Sequence, residues 1–216
     1  MTLRERIAFL GQMRAQFEHT GAVQPSSRYL AHAMAAPLRR WHGAGRGAAR
    51  ILEIGPGTGA VTRAVAAAMG PGDELVCYEI NPEFARFLQQ ALTTDPQLGP
   101  VADRVRIHVA PAQQLDRGTG FDIAVCSAPL NNFGAETIDA ILAAMMNALR
   151  PGGAATLFEY LLFPVLRRAF LRGDAARRLR AAEATKAEWL TRHGRGSVVV
   201  LRNLPPARVH ELRATS

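Results

Sequence analysis

Glu53, Gly55, Gly57 and Gly59, in the run EIGPGTG, and Glu79, about two dozen residues further on, have types and spacing suited to binding a ligand. Glycines at alternate positions let a backbone turn sharply and come close to a ligand that a Cβ would hold away. A glycine-rich loop between a strand and a helix commonly cradles a phosphate, but an acidic residue two positions ahead of the first glycine repels phosphate and suits a cation. Glu79 closes the next apolar run, where a carboxylate can accept from both hydroxyls of a ribose. The second chemical stretch is SAPLNNF, residues 127–133, which follows the apolar run FDIAVC. In an open α/β sheet, residues just past a strand's carboxyl end face the ligand crevice.

A cation that carries a ribose and no phosphate describes S-adenosylmethionine, with its sulfonium and amino group. LEIGPGTGAVT together with CYEINPEF resembles the first two motifs of the class I S-adenosylmethionine-dependent methyltransferases over residues 50 to about 160. The resemblance implies a Rossmann-like α/β fold, a mostly parallel sheet of about seven strands with helices on both faces. It places the methionine end over Gly55, Gly57 and Gly59, the ribose on Glu79, and adenine between the ends of the second and third strands. Members of the family usually hold the adenine amine with an acid after the third strand. This chain has VAPAQQL there, which puts Ala112 and Gln113 in that region, with the Gln113 amide oxygen as a substitute. Glu53, Thr58, Ile80, Ser127 and Ala128 complete the cofactor wall, S-adenosylhomocysteine is the expected product, and no metal is expected.

SAPLNNF stands where adenine-methylating enzymes carry Asn-Pro-Pro-Tyr. Ser127 replaces the Asn and Leu130 the Tyr, so the ring that stacks on a flipped base is missing at that position. A primary alkylamine needs no stacking, only acceptors that strip its water, aim its lone pair and take up a proton. Asn131, Ser127 and Tyr160, the last in FEYLLFP, are the catalytic candidates, with carbonyls at Ala128 and Pro129. Glu159 is a possible proton relay, although strand alternation can turn it away, and Asn132 has an alternative role as a helix cap. SSRYLA..M, SAPLNNF, FEYL, an Arg-rich insert and NLPPARV together resemble the bacterial phospholipid N-methyltransferases of the soluble, rRNA-dimethylase-like type. That resemblance implies methylation of phosphatidylethanolamine through its monomethyl and dimethyl forms to phosphatidylcholine. It also sets Ser27 and Arg28 against the methionine part of the cofactor. The alternatives are an RNA adenine N6-methyltransferase, a small-amine methyltransferase and a non-catalytic cofactor-binding module.

The elements that must position these residues follow from periodicity. From residue 50 onward, short apolar runs alternate with helical patterns across short connections, which reads as βαβ units and one parallel sheet. RPGG, residues 150–153, reads as a turn that ends a helix and launches a strand. SVVVLRNL and ARVHEL are two more strand candidates, kept apart by Pro205 and Pro206. Within a single 216-residue domain, residues 1–20 form an amphipathic membrane-binding helix, 50–160 the cofactor core, and 164–195 an Arg-rich substrate or membrane insert.

The formal net charge is +8, and Lys186 is the only lysine, so the basic excess is arginine. Such a surface favours polyanions, either nucleic acid or an anionic leaflet. With the interfacial pattern of residues 2–17, the expected partners are a phospholipid substrate and an anionic membrane surface, with no nucleic acid; the oligomeric state is not legible. No apolar run approaches the roughly 20 residues of a bilayer span. The expected location is cytoplasmic, bound peripherally to the inner membrane's cytoplasmic face. Cys77 and Cys126 lie inside strand-like runs and read as buried, reduced thiols.

Overall fold

Apolar runs that bury both faces must lie inside a layered sheet, and RILEI, ELVCYE and FDIAVC do so. The computed structural model describes residues 26–115, 120–161 and 171–215. Seven strands form one sheet in the order β3-β2-β1-β4-β5-β7-β6. They are β1 (Arg50–Ile54), β2 (Glu74–Glu79), β3 (Val105–Val109), β4 (Phe121–Cys126), β5 (Leu149–Tyr160), β6 (Gly194–Val200) and β7 (Ala207–Arg213). The first five are parallel to one another, and β7 runs antiparallel between β5 and β6. The expected Rossmann-like fold is therefore observed.

Among the described residues, six α-helices flank the sheet: α1 (Arg28–Met34), α2 (Ala36–Gly43), α3 (Ala60–Ala66), α4 (Pro82–Thr94), α5 (Ala135–Ala148) and α6 (Gly173–His193). Alternate strand residues feed two cores. Ile51, Ile123 and Val125 pack with Leu30, Met34 and Val65 on one face. Leu52, Ala124 and Cys126 pack with Ile138, Leu142 and Met145 on the other. Both cysteines are free and buried, as the sequence suggests.

Two local readings change. RPGG does not separate a helix from a strand: α5 passes directly into β5, and the extra residues are absorbed as an irregularity between the pairs Phe121↔Leu149 and Ile123↔Ala154. Gly152, at φ 76°, supplies the backbone freedom for it. Asn132 does not cap α5; it ends a 3₁₀ turn, Leu130–Asn132, and the cap position belongs to Gly134. The expected N-terminal helix and residues 164–170 of the expected Arg-rich insert lie outside the described residues.

Strand order reverses between the paired neighbours β1 and β4, whose onward connections lead to opposite halves of the sheet. That switch point opens a crevice at the carboxyl ends of the strands. The glycine loop follows β1 and SAPLNNF follows β4, so the fold brings the two stretches together.

Candidate active site

The loops after β1 and β4 are bonded to each other. The Ser127 and Ala128 amides both donate to the Ile54 carbonyl, at 2.8 and 3.2 Å, while the Gly55 amide donates to the Tyr78 carbonyl at 2.8 Å. Gly55 has φ 69°, and a Cβ there would lie 2.9 Å from the Ala128 Cβ, so glycine is required for the two loops to touch. Gly59, at φ 82°, starts α3. A Cβ on it would meet Leu88 at 2.9 Å.

Beneath this junction lie two buried carboxylates on adjacent strands. Glu53 is fully buried. Its Oε1 accepts from the Ser127 hydroxyl at 2.7 Å, and its Oε2 is 3.9 Å from Cys77 Sγ. Burial raises the Glu53 pKa to about 7 against the opposing hydrogen bond from Ser127. Glu79 is 4% exposed. Its two oxygens accept from the Gly57 and Asn81 amides at 2.9 and 2.8 Å. Burial raises its pKa too, opposed by those amides. The Cys77 and Cys126 thiols are pushed up by burial, Cys126 to about 12, so neither is a thiolate nucleophile at neutral pH.

The wall on the β4–β5 side is polar. Asn131 donates through Nδ2 to the Tyr160 carbonyl at 3.4 Å and accepts at Oδ1 from Lys186 Nζ at 3.2 Å. Lys186, from α6, also pairs with Glu159 Oε2. His210, from β7, meets Glu159 Oε1 at 2.8 Å. Burial alone would raise the Glu159 pKa, but hydrogen bonds from His210 and Lys186 outweigh it and bring it to about 2. Burial raises the Tyr160 phenol. Trp189 Nε1 donates to Asp139 Oδ1 at 2.9 Å, which fastens α6 on α5 over this wall.

A cavity of about 1010 Å³ opens between these features. Ile54, Gly55, Ile80, Ala112, Gln113 and Ala128 line one part; Asn131, Phe133, Glu136, Asp174, Arg178 and Leu179 line another. Its volume stands at the upper end of small-molecule sites, about 300–1,000 Å³, which leaves space for a cofactor and an acceptor together.

Residues 52–155 match a family model described as a methyltransferase domain. The match spans just under half of the chain, and the fold around it is the one that class I S-adenosylmethionine-dependent methyltransferases have. Solved structures share this fold across nearly the whole chain. Cofactor-bound Rv0187 from MTB is 20% identical, covering 97% of this chain and 91% of its own, with a TM-score of 0.63. The O-methyltransferase TomG from Streptomyces achromogenes, in complex with SAM, is 19% identical over 95% and 96%, with a TM-score of 0.59. The 1,6-didemethyltoxoflavin-N1-methyltransferase of Burkholderia thailandensis is 21% identical over 100% and 92%, with a TM-score of 0.56. At such identities the likeness is one of fold. No curated protein matches the chain in sequence.

The residues around the cavity fit S-adenosylmethionine. Glu53 and Glu79 are buried beneath the loops and are not among the residues that line the cavity, so they set two carboxyl groups under the site of a ligand carrying a sulfonium and an amine. A carboxylate has about four lone-pair positions, so Glu79 retains acceptor capacity for ribose hydroxyls beside the two amides it already serves. Ile80 and Ala112 offer an apolar slot, with Gln113 exposed at its rim. Thr58 is exposed on the loop, and its carbonyl accepts from Arg63 at 2.9 Å.

Other candidates are placed differently. The Ser27 hydroxyl accepts from the Leu30 amide at 3.3 Å and caps α1, while Arg28 leans on Tyr29; neither is among the residues that line the cavity. The Ser127 hydroxyl is committed to Glu53 and holds the cofactor side rather than the acceptor. Glu159 faces Lys186 and His210, and its low pKa makes it a poor proton relay. Phe133 lines the cavity, so SAPLNNF does keep an aromatic ring at the site, three residues past the position where the sequence shows Leu130. Leu130 itself is buried in the core. Lys186 and His210 are additions from the structure. A lone lysine in an arginine-rich chain was the available signal for the first.

Two outcomes follow. Glu53 has its folded pKa, about 7, above the unfolded value of 4.5. The folded state therefore holds an extra proton between those values, and stability falls as pH rises through the window. Relative to Glu53→Gln, the wild type should lose on the order of 3 kcal/mol between pH 4.5 and 8 in urea titrations; parallel curves would contradict the assignment. Lys186→Met leaves the half-buried Glu159 carboxylate with His210 as its one remaining charged partner and should cost about 2 kcal/mol. Adding Glu159→Gln should recover most of that loss in the same measurement.

Proposed function

We propose that this methyltransferase methylates the amine of phosphatidylethanolamine, and of its monomethyl and dimethyl forms, toward phosphatidylcholine at a membrane surface. S-adenosylmethionine, when bound, supplies a methyl group on a sulfonium and leaves as S-adenosylhomocysteine. The observation that carries the reading is the charge pattern of the cavity. Glu136 and Asp174 line it together with Arg178, so one mouth offers carboxylates to an ammonium and a guanidinium to a phosphate, the two charges of the headgroup. Asp174 is also paired with Arg177, on the exposed side of α6.

The inner wall suits an aliphatic amine. Asn131 is held from both sides, by Lys186 and by the Tyr160 carbonyl, so its amide is oriented before an acceptor arrives. The amine attacks as the neutral form, and its proton leaves to solvent, because Glu159 at about pKa 2 is too weak a base and the raised Tyr160 phenol stays protonated at neutral pH. The two stretches most distinctive of the phospholipid enzymes also meet: the Ser27 amide donates to Asn203 Oδ1 at 2.9 Å, joining SSRYLA to NLPPA. Binding at the cytoplasmic face of the inner membrane through residues 1–20 belongs to this proposal. Among the described residues, no helix is long and apolar enough to cross a membrane.

Phe133 favours a second reading, methylation of a planar nitrogen heterocycle stacked on that ring. The structural neighbour from Burkholderia thailandensis is an N1-methyltransferase with bound 1,6-didemethyltoxoflavin.

Incubation with methyl-labelled S-adenosylmethionine separates the two. With phosphatidylethanolamine vesicles, the label should appear in lipids that migrate as the mono-, di- and trimethylated forms, and Arg178→Glu should lower kcat/KM at least about tenfold, equivalent to 1.4 kcal/mol. Unlabelled lipid, with transfer instead to nitrogen heterocycles or RNA, would refute the lipid reading.

A further inference from the structure

At the opposite end of the sheet from the methyl-transfer cavity, a groove of about 690 Å³ runs between α2 and the amino-terminal ends of β4 and β5. Arg39, Arg40, Arg46 and Arg213 line it, with Trp41 among them. We propose that this groove is a second ligand site, for a compound carrying a diphosphate or two neighbouring phosphate groups.

The groove holds more positive charge than the protein neutralises. Glu211 is shared, pairing with Arg40 and meeting Arg213 at 3.5 Å. Asp122 is spent on the sheet's own edge: Oδ1 pairs with Arg150 at 2.9 Å, and Oδ2 accepts the Arg50 amide at 2.9 Å. Among the described residues, no carboxylate pairs with Arg39 or Arg46. Arg39 donates to a neutral group, the His32 carbonyl, and Arg46 lies over the Trp41 ring at 4.6 Å from its centroid. Burial first, and the neighbouring Arg40 charge second, hold the Arg39 guanidinium below its ordinary value. Like charges kept together in a concavity raise the energy of the empty site, and a bound anion relieves that.

The chemistry of the lining narrows the ligand. Guanidinium forks match phosphate oxygens in pairs, and four of them, against Glu211 and an Asp122 already paired with Arg150, leave more charge than a single phosphate monoanion offsets. Trp41 donates its Nε1 hydrogen to the Gly47 carbonyl at 2.8 Å, which fixes the ring at the rim. The position excludes the groove as the headgroup subsite of the methyl-transfer reaction, because that cavity lies at the carboxyl ends of the strands. A ligand here is a second one, and the inference does not rest on the phospholipid reading.

Calorimetric titration of inorganic pyrophosphate into the full chain tests the site, with wild type compared against Arg39→Gln/Arg46→Glu and against Arg46→Glu alone, which alters only an exposed side chain. Saturable binding that weakens at least tenfold in the variants and falls with added salt, while S-adenosylmethionine affinity is retained, supports a soluble diphosphate ligand. Absence of pyrophosphate binding, with phosphatidylglycerol-containing vesicles sedimenting wild type but not the variants, supports the same chemistry presented by lipid phosphates. Pyrophosphate binding unchanged in the variants, or no binding to pyrophosphate and equal vesicle binding by all three proteins, overturns the site.

Discussion

Two carboxylates held out of water on neighbouring strands are the constraint on which the rest of this structure depends. Glu53 and Glu79 each sit where desolvation disfavours their charge, and a fold gains nothing from burying acids unless something compensates. Glu79 is compensated by amides of two loops, Gly57 after β1 and Asn81 after β2. Glu53 is compensated by Ser127, which belongs to the other side of the switch point. Each acid therefore ties a ligand-facing loop to the strand beneath it. The glycines permit the loops to approach, and the acids hold them there with acceptors matched to a cationic ligand.

The acceptor side is organised by a different chain of contacts. His210 on β7, Glu159 on β5, Lys186 on α6 and Asn131 after β4 are linked in series, so the antiparallel end of the sheet and its covering helix act on one amide at the cavity wall. This arrangement explains why a long helix with only three buried residues, Ala182, Lys186 and His193, has a fixed place: the Lys186 ion pair and the Trp189–Asp139 bond dock it. The low pKa of Glu159 belongs to this anchoring and not to proton transfer.

Most of the cofactor half was legible in the sequence because its determinants are local. A strand, a glycine loop and an acid at the next strand's end stand at fixed short separations, and alternating burial on two faces produces continuous apolar runs. The acceptor half depends on contacts between distant segments. Nothing near Glu159 predicts His210 or Lys186, and Leu130 gives no hint that Phe133, just past the 3₁₀ turn that Leu130 begins, presents the ring. Ser27 shows the same limit from the other direction: a hydroxyl beside a helix start is as good a cap as a ligand contact, and the cap is what the structure shows. RPGG was misread because an irregularity within a strand and a turn before one use the same residues.

Isothermal titration of S-adenosylmethionine into the wild type and Glu79→Gln probes the acid pair directly, since the amide keeps the side chain's size and removes its charge and one acceptor. One-to-one binding to the wild type, weakened at least about tenfold in the variant, or 1.4 kcal/mol, is the predicted result. Equal affinity in both proteins, or no binding to the wild type, would contradict the account.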